Sequence, residues 1–357
     1  MKKEKELNGL WIGKTGESNA WYHIFPFANS ILNKKLFVVR HKRPQRDIVS
    51  SKIEFITFPS DKGNLRHLWS MFSNGVRVLR NNKIDYIVSF SLVPWGILGW
   101  ILAKLFQKKI IIGLIGSDFN HYVEKSKGAF IFKYILKSSN VITTTGSVMS
   151  ASVEKKTKHS NVQIFPHCLP EDLFYDKELK KSKTLKLISI SELSKNKRTI
   201  DIIQAVEKLV NKGIDVKLDV LGKGSQFENI ENYIFDKNLG NYITLVGYVT
   251  DIKTFLRKAD IFVQASLKEG LSLSLIESIG MGLIPVVTQA GSEKDIIENE
   301  VNGLFFEKKN PKDLADKIEL LCDDNKYVQF FEAVKEIKEK LKIEYATKKV
   351  EQILSEI

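Results

Sequence analysis

Glu269 and Glu277 stand eight positions apart in KEGLSLSLIESIGMG, residues 268–282, a run otherwise suited to burial. A strand-like stretch, ADIFVQAS (259–266), leads into it, and a helix is expected to begin near Leu271–Ser272. Glu269 then lies just outside the helix N-terminus and Glu277 on the second turn. Were the whole segment helical, the two would be about 12 Å apart on roughly one stripe. Between them, Gly270, Leu271 and Ser272 present free N–H groups at the positive pole of the helix. That arrangement suits a diphosphate. Carboxylates accept hydrogen bonds from vicinal hydroxyls, so carboxylate, anion hole and carboxylate match a nucleotide-diphosphate sugar, with hydroxyls at both ends. Spacing alone leaves a plainer reading open: an acidic helix start favoured by the dipole, with one solvated glutamate.

Other chemistry is poorly supported. GLWIGKTG (9–16) lacks the glycine a phosphate-binding P-loop needs five positions before Gly13, since Asn8 stands there. What remains is a loop bearing Gly13 and Lys14 after the first strand, either a tight turn or a set of N–H groups for phosphate or acceptor. The six histidines (23, 41, 67, 121, 159 and 167) show no ligand pairing, and no Asp-x-Asp pair occurs, so no metal is expected. No G-x-S-x-G elbow is present. The two cysteines, Cys168 and Cys322, fit neither a metal site nor a disulfide framework, which argues for a reducing compartment.

The elements that must position Glu269 and Glu277 are β-rich runs alternating with helical stretches, the pattern of βαβ units on parallel sheets. GLWIG, KLFVVR, IEFITF, DYIVSF, KIIIGLIG and NVITTT read as strands in the first half; TLKLISI, DVKLDVLG, YITLVGY, ADIFVQAS and LIPVVTQA in the second. With 357 residues, two domains are expected. The reading is an α/β chain of two Rossmann-like domains: residues 1–168 for the acceptor, 169–184 as linker, and 185–340 for the nucleotide sugar. Residues 341–357 form a C-terminal helix that could pack back on the first domain. Facing domains of this kind leave a cleft at the carboxyl ends of their strands.

Charge is uneven: residues 1–170 hold 26 Lys and Arg against 10 Asp and Glu, and 171–357 hold 29 against 32. The basic half suits an anionic partner, a membrane leaflet or a nucleic acid. Residues 84–106 are long enough to span a bilayer, but Asp85, Pro94 and Lys104 interrupt them, favouring strand–turn–helix. The N-terminus, MKKEKELNGLWIG, has no apolar core of signal-peptide length.

E269-GLSLSLI-E277, followed by SIGMGLIPVV, resembles the E-x7-E signature of the retaining family 4 glycosyltransferases with the GT-B fold (glycosyl transferases group 1). PHCLPEDLF (166–174), ISELSKNKRTIDIIQAV (190–206), VLGKGSQFENI, LVGYVTDIKTFLRKADIFVQAS and AGSEKDIIENEVNGLFF follow the family's order and spacing. The resemblance is strong over about 160–320 and weaker at DYIVSFSLVPWG and IIGLIGSDF. It implies Glu269 on the hexose hydroxyls, Glu277 on the ribose, and the Gly270–Leu271–Ser272 backbone on the diphosphate. Lys197 takes the place of the phosphate-binding lysine, with Lys195 and Ser191 near it. Fixed cations stabilise the charge that builds as a diphosphate leaves. Glu192 occupies a position where many members carry arginine, so Lys195 or Arg198 would supply that cation. Ile115 replaces the histidine of the family's His-Gly-Ser-Asp segment, leaving Asp118 and His121 on the acceptor side with Gly13 and Lys14.

The resemblance implies metal-independent transfer of a hexose-type sugar, with retained configuration, from a UDP- or GDP-sugar and without a cofactor. The expected acceptor is lipid-linked or a growing polysaccharide of capsule or O-antigen type. The protein is expected to be cytoplasmic and peripheral on the anionic inner membrane face, without nucleic acid. Two alternatives stand beside this: a nucleotide-sugar epimerase on the same fold, and a basic membrane- or nucleic-acid-binding protein with a degenerate sugar site.

Overall fold

The computed structural model describes residues 6–13, 20–43, 50–59, 64–115, 119–124, 128–165, 167–179 and 183–357. Its contacts divide the chain into two units, one of residues 1–168 with 343–357 and one of residues 169–342.

In the first unit, short apolar runs form a seven-stranded, wholly parallel sheet: β1 (Leu7–Gly13), β2 (Asn33–Arg40), β3 (Ile53–Thr57), β4 (Tyr86–Phe90), β5 (Lys109–Gly113), β6 (Val141–Thr144) and β7 (Val162–Ile164). Their order is β3-β2-β1-β4-β5-β6-β7. Side chains alternate between faces along each strand. Leu10, Ile12, Phe37, Val39, Ile87, Ile110 and Ile112 therefore share one core with helices α2 (Asn64–Asn81), α3 (Ile97–Leu105), α4 (Ala129–Lys137) and α5 (Ser147–Thr157). On the opposite face Trp11 stacks on Phe90, and Phe27 of α1 (Ala20–Asn29) stacks on Tyr86.

The second unit repeats the plan with six parallel strands: β8 (Leu185–Ile190), β9 (Val216–Leu221), β10 (Ile243–Gly247), β11 (Ile261–Gln264), β12 (Ile284–Thr288) and β13 (Leu304–Phe306). Their order is β10-β9-β8-β11-β12-β13. Helices α6 (Thr199–Asn211), α7 (Phe227–Asp236), α8 (Lys253–Lys258), α9 (Leu273–Gly280), α10 (Pro311–Glu319) and α11 (Asp324–Lys340) connect and cover them.

One boundary differs from the sequence reading. Residues 169–177 are strapped to the second unit: Leu169 N–H donates to the Leu341 carbonyl at 2.8 Å and Tyr175 N–H to the Gly280 carbonyl at 3.2 Å. Leu169 and Leu173 are buried, so this polar-looking stretch anchors through its apolar minority. The last helix, α12 (Ile343–Ser355), lies against α1 in the first unit. Asn29 Nδ2 donates to Thr347 Oγ1 at 3.1 Å and Ile31 N–H to Glu351 Oε1 at 2.9 Å. Among the described residues no helix is long and apolar enough to cross a membrane; the segment 84–106 becomes β4, a bend at Leu92–Gly96 and α3.

Candidate functional site

In the second sheet the chain order reverses between β8 and β11. At such a reversal the two crossovers leave to opposite faces, and the loops beyond the strands' carboxyl ends open a crevice for ligands. Those loops are residues 191–198 after β8 and 265–272 after β11. They carry Ser191, Lys195, Lys197 and Arg198 on one side, and Glu269, Gly270, Leu271 and Ser272 on the other.

Asn196 ties the loops together. Its carbonyl accepts the Leu267 N–H at 2.8 Å, and its side-chain amide donates to the Lys268 carbonyl at 2.9 Å. This tie brings Lys197 and Glu269, 72 positions apart, into an ion pair. Glu269 Oε1 also accepts the Ser266 hydroxyl at 2.8 Å. The pair is only 22% and 14% exposed, so its attraction is less screened than at an open surface.

Beneath Glu269 lies a turn after β12. Gly291 N–H donates to Glu293 Oε2 at 2.6 Å, Ser292 N–H to the Gly270 carbonyl at 2.8 Å, and Glu269 N–H to the Ala290 carbonyl at 3.1 Å. A side chain at 291 would collide with the Glu269 and Gly270 carbonyls, so this backbone-on-backbone contact requires glycine. Glu293 is fully buried, and its Oε1 has no hydrogen-bond partner among the described residues. Burial pushes its carboxyl above the ordinary glutamate value; the Glu269 charge adds to the push and backbone N–H bonds oppose it. Glu293 escaped the sequence reading because SEKD looks like a solvated turn.

Helix α9 begins at Leu273 with Ser272 as N-cap in extended conformation, two residues later than the earliest expected start. Ser272 makes no capping bond; its hydroxyl lies 2.9 Å from that of Ser274. The first-turn N–H groups therefore have no side-chain cap, the condition for meeting an anion. Glu277, the fifth helical residue, is half-buried. A carboxylate pair flanking this N-terminus can grip hydroxyls on either side of a bound diphosphate.

The β8 loop is itself backed by the loop that follows β9. Leu193 N–H donates to the Lys223 carbonyl at 3.0 Å and Gln226 N–H to the Leu193 carbonyl at 2.9 Å. Gly222, at φ 136°, faces the Ser191 carbonyl so closely that any Cβ would strike it.

The two cations offered in place of Glu192 behave differently. Arg198 binds the buried carboxylate of Asp201 through Nε at 2.9 Å and Nη2 at 2.5 Å. Lys195 is exposed and has no ion-pair partner among the described residues. Both line a cavity of about 330 Å³ with Thr199, Gln226, Leu267 and Lys309, the last a cation the sequence reading did not single out.

Of the residues expected to face the acceptor, Gly13 ends β1 and pairs with Phe90 of β4, also where strand order reverses. Lys14 and Asp118 lie outside the described residues, as does the side chain of His121. Near Phe90, the half-buried His23 packs between Phe90 and Phe165, with ring centroids at 4.5 and 5.6 Å. Burial, and then the charge of His167, lowers its pKa to about 3, so it is neutral at physiological pH.

Residues 171–343 match the family described as glycosyl transferases group 1, and residues 16–146 match that described as glycosyl transferase 4-like. An uncharacterized glycosyltransferase of Methanocaldococcus jannaschii is 25% identical over 296 residues, covering 82% of this chain and 81% of the relative. The N-acetyl-alpha-D-glucosaminyl L-malate synthase of Bacillus anthracis is 22% identical over 279 residues, 75% of this chain and 73% of that one. Among solved structures, Anabaena HepE in complex with UDP and glucose superposes with a TM-score of 0.75 at 14% identity, over 99% of this chain and 100% of that one. These matches do not favour the epimerase reading.

Proposed function

We propose that this chain, which is a glycosyltransferase of the GT-B fold, moves a hexose-type sugar from a UDP- or GDP-sugar to a lipid-linked or polysaccharide acceptor. The observation that carries the donor reading is the Lys197–Glu269 pair beside the uncapped N-terminus of α9, with Glu277 one turn in. Glu269 takes hexose hydroxyls, the helix N-terminus and Lys197 take the diphosphate, and Glu277 takes the ribose. A structural neighbour holding UDP and glucose supports this class of donor.

Transfer proceeds on the front face of the sugar. The bond from C1 to the leaving phosphate oxygen breaks while the acceptor oxygen bonds to C1 on the same side. The acceptor's proton passes to the departing phosphate oxygen, so configuration is retained and no dedicated base is required. Lys197 and the first-turn N–H groups of α9 stabilise the charge that grows on the diphosphate. Fixed cations in this role make the reaction independent of metal. The basic first unit is read as the acceptor side, resting on the anionic inner face of a membrane.

Screening UDP- and GDP-sugars by thermal shift, then following slow hydrolysis of the best binder with and without a chelator, tests the proposal. Expected are a shift with one sugar nucleotide, release of the sugar with its starting anomeric configuration, and a rate indifferent to the chelator. Binding of none of these donors would overturn it.

A further inference from the structure

The outward side of the first unit's α2–α5 layer departs from what a solvated helical layer presents. On α3, Ile101 and Leu105 are 39% and 63% exposed; on α4, Phe130, Ile131 and Tyr134 are 72%, 50% and 63% exposed. The two helices meet at Trp100. Trp100 Nε1 donates to Ser138 Oγ at 2.8 Å, and the Trp100 and Tyr134 rings meet edge to face at 6.1 Å. Ile101 and Leu105 follow Trp100 within about a turn on α3, and Phe130 and Ile131 precede Tyr134 by about a turn on α4, so the exposed side chains flank that contact, while inward neighbours such as Leu102 and Ile135 are already used in the core.

Its charge has one sign. Lys104, exposed and 5.9 Å from the Trp100 ring, lies within the patch, and Lys133 and Lys137 lie on α4. No Asp or Glu occurs over residues 97–115 or 128–153. Neighbouring α2, packed on α3, adds the exposed Trp69 and Arg66. Aromatic and aliphatic groups interleaved with lysines, without compensating acids, fit an interface where apolar atoms enter an acyl region and cations meet lipid phosphates. Tyr134 and Trp69 are of the types that settle at headgroup depth.

We propose that the α3–α4 face, Ile101, Leu105, Phe130, Ile131 and Tyr134 with Lys104 and Lys133, is the surface by which this protein docks on an anionic lipid bilayer. The assignment rests on the membrane-facing reading of the first unit and names the residues that carry it. Apolar insertion supplies the affinity that survives salt, and each lysine near the surface adds affinity that salt removes.

The test is co-sedimentation of the full chain with phosphatidylglycerol-containing and pure phosphatidylcholine vesicles, at low and high salt. Wild type should be retained by the anionic vesicles and released at least in part by salt. The exposed triple variant Leu105→Ser, Phe130→Ser, Ile131→Ser should bind on the order of tenfold more weakly. Lys104→Glu with Lys133→Glu should lose the salt-sensitive part. Donor hydrolysis, unchanged in both variants, shows that the fold and the sugar site are intact. Triple-variant binding equal to wild type overturns the surface while leaving membrane association standing. Wild type ignoring both vesicle types overturns the membrane reading as well, with donor turnover untouched. A wild-type dimer in solution that the triple variant dissolves would make the patch a self-interface and also overturn it.

Discussion

Lys197 and Glu269 neutralise each other within the candidate donor site, at 22% and 14% exposure, so neither is replaceable alone without stranding the other. Lys197→Met and Glu269→Gln should each lower donor turnover by roughly 100-fold or more, the scale seen when one stabilising donor is removed from a reacting site. The double variant should lose less than the product of the two, and a double-mutant cycle on hydrolysis rates would show that coupling. Independent effects, or full activity in either variant, would remove the pair from the site. Glu293 makes a prediction of opposite flavour. Its folded pKa lies above the ordinary glutamate value of 4.5, so the fold favours the protonated carboxyl. The stability this gives is present below 4.5 and is lost as pH rises through the folded value. Glu293→Gln keeps an acceptor for the Gly291 N–H but carries no charge. Relative to wild type it should therefore gain stability in denaturant titrations as pH is raised from about 4 to 7. An unchanged difference across that range would mean that Glu293 does not titrate there.

Among the elements, the candidate donor site is a set of loops held by backbone contacts that only glycine permits. Gly222→Ala should push the β8 loop away from the β9 loop, because φ 136° is foreign to L-residues and the Ser191 carbonyl occupies the space. A loss of about 2–4 kcal/mol in chemical denaturation is expected, with weakened donor binding measured by calorimetry. Most of this framework is legible in the residues. Strands such as KLFVVR, DYIVSF and TLKLISI are apolar runs bounded by polar turns, the mark of strands buried on both faces. The glutamate spacing places the helix that became α9. Three-residue β7 and β13 are too short to show a period, and the aromatic run around Pro26 gives no helical signal although it forms α1. Glu293 and the Lys195–Arg198–Lys309 cavity are tertiary facts, since burial and convergence of distant loops leave no local trace.

For the whole molecule, the distribution of fluorophores makes the two units separately observable. All five tryptophans, at 11, 21, 69, 95 and 100, lie in the first unit. Ending the chain at Lys342 should lower the melting temperature reported by tryptophan fluorescence, because α12 and its bonds to Asn29 and Ile31 are removed. Donor-induced stabilisation of residues 169–342, followed by hydrogen exchange, should persist; an unchanged tryptophan melt would show that α12 is dispensable. The return of α12 also bears on how the protein is made. Ribosomes deliver the first sheet's last strand by Ile164, but its closing helix emerges only from Ile343 onward. Those intervening residues take roughly ten to thirty-five seconds at cellular elongation rates of about 5–20 residues per second. Through that interval α1 waits without its cover, and at its end residues 169–342 are complete as a unit while residues 343–357 are still to be made. The second unit to be started is thus the first able to finish, and the nascent first unit is the one that needs shelter.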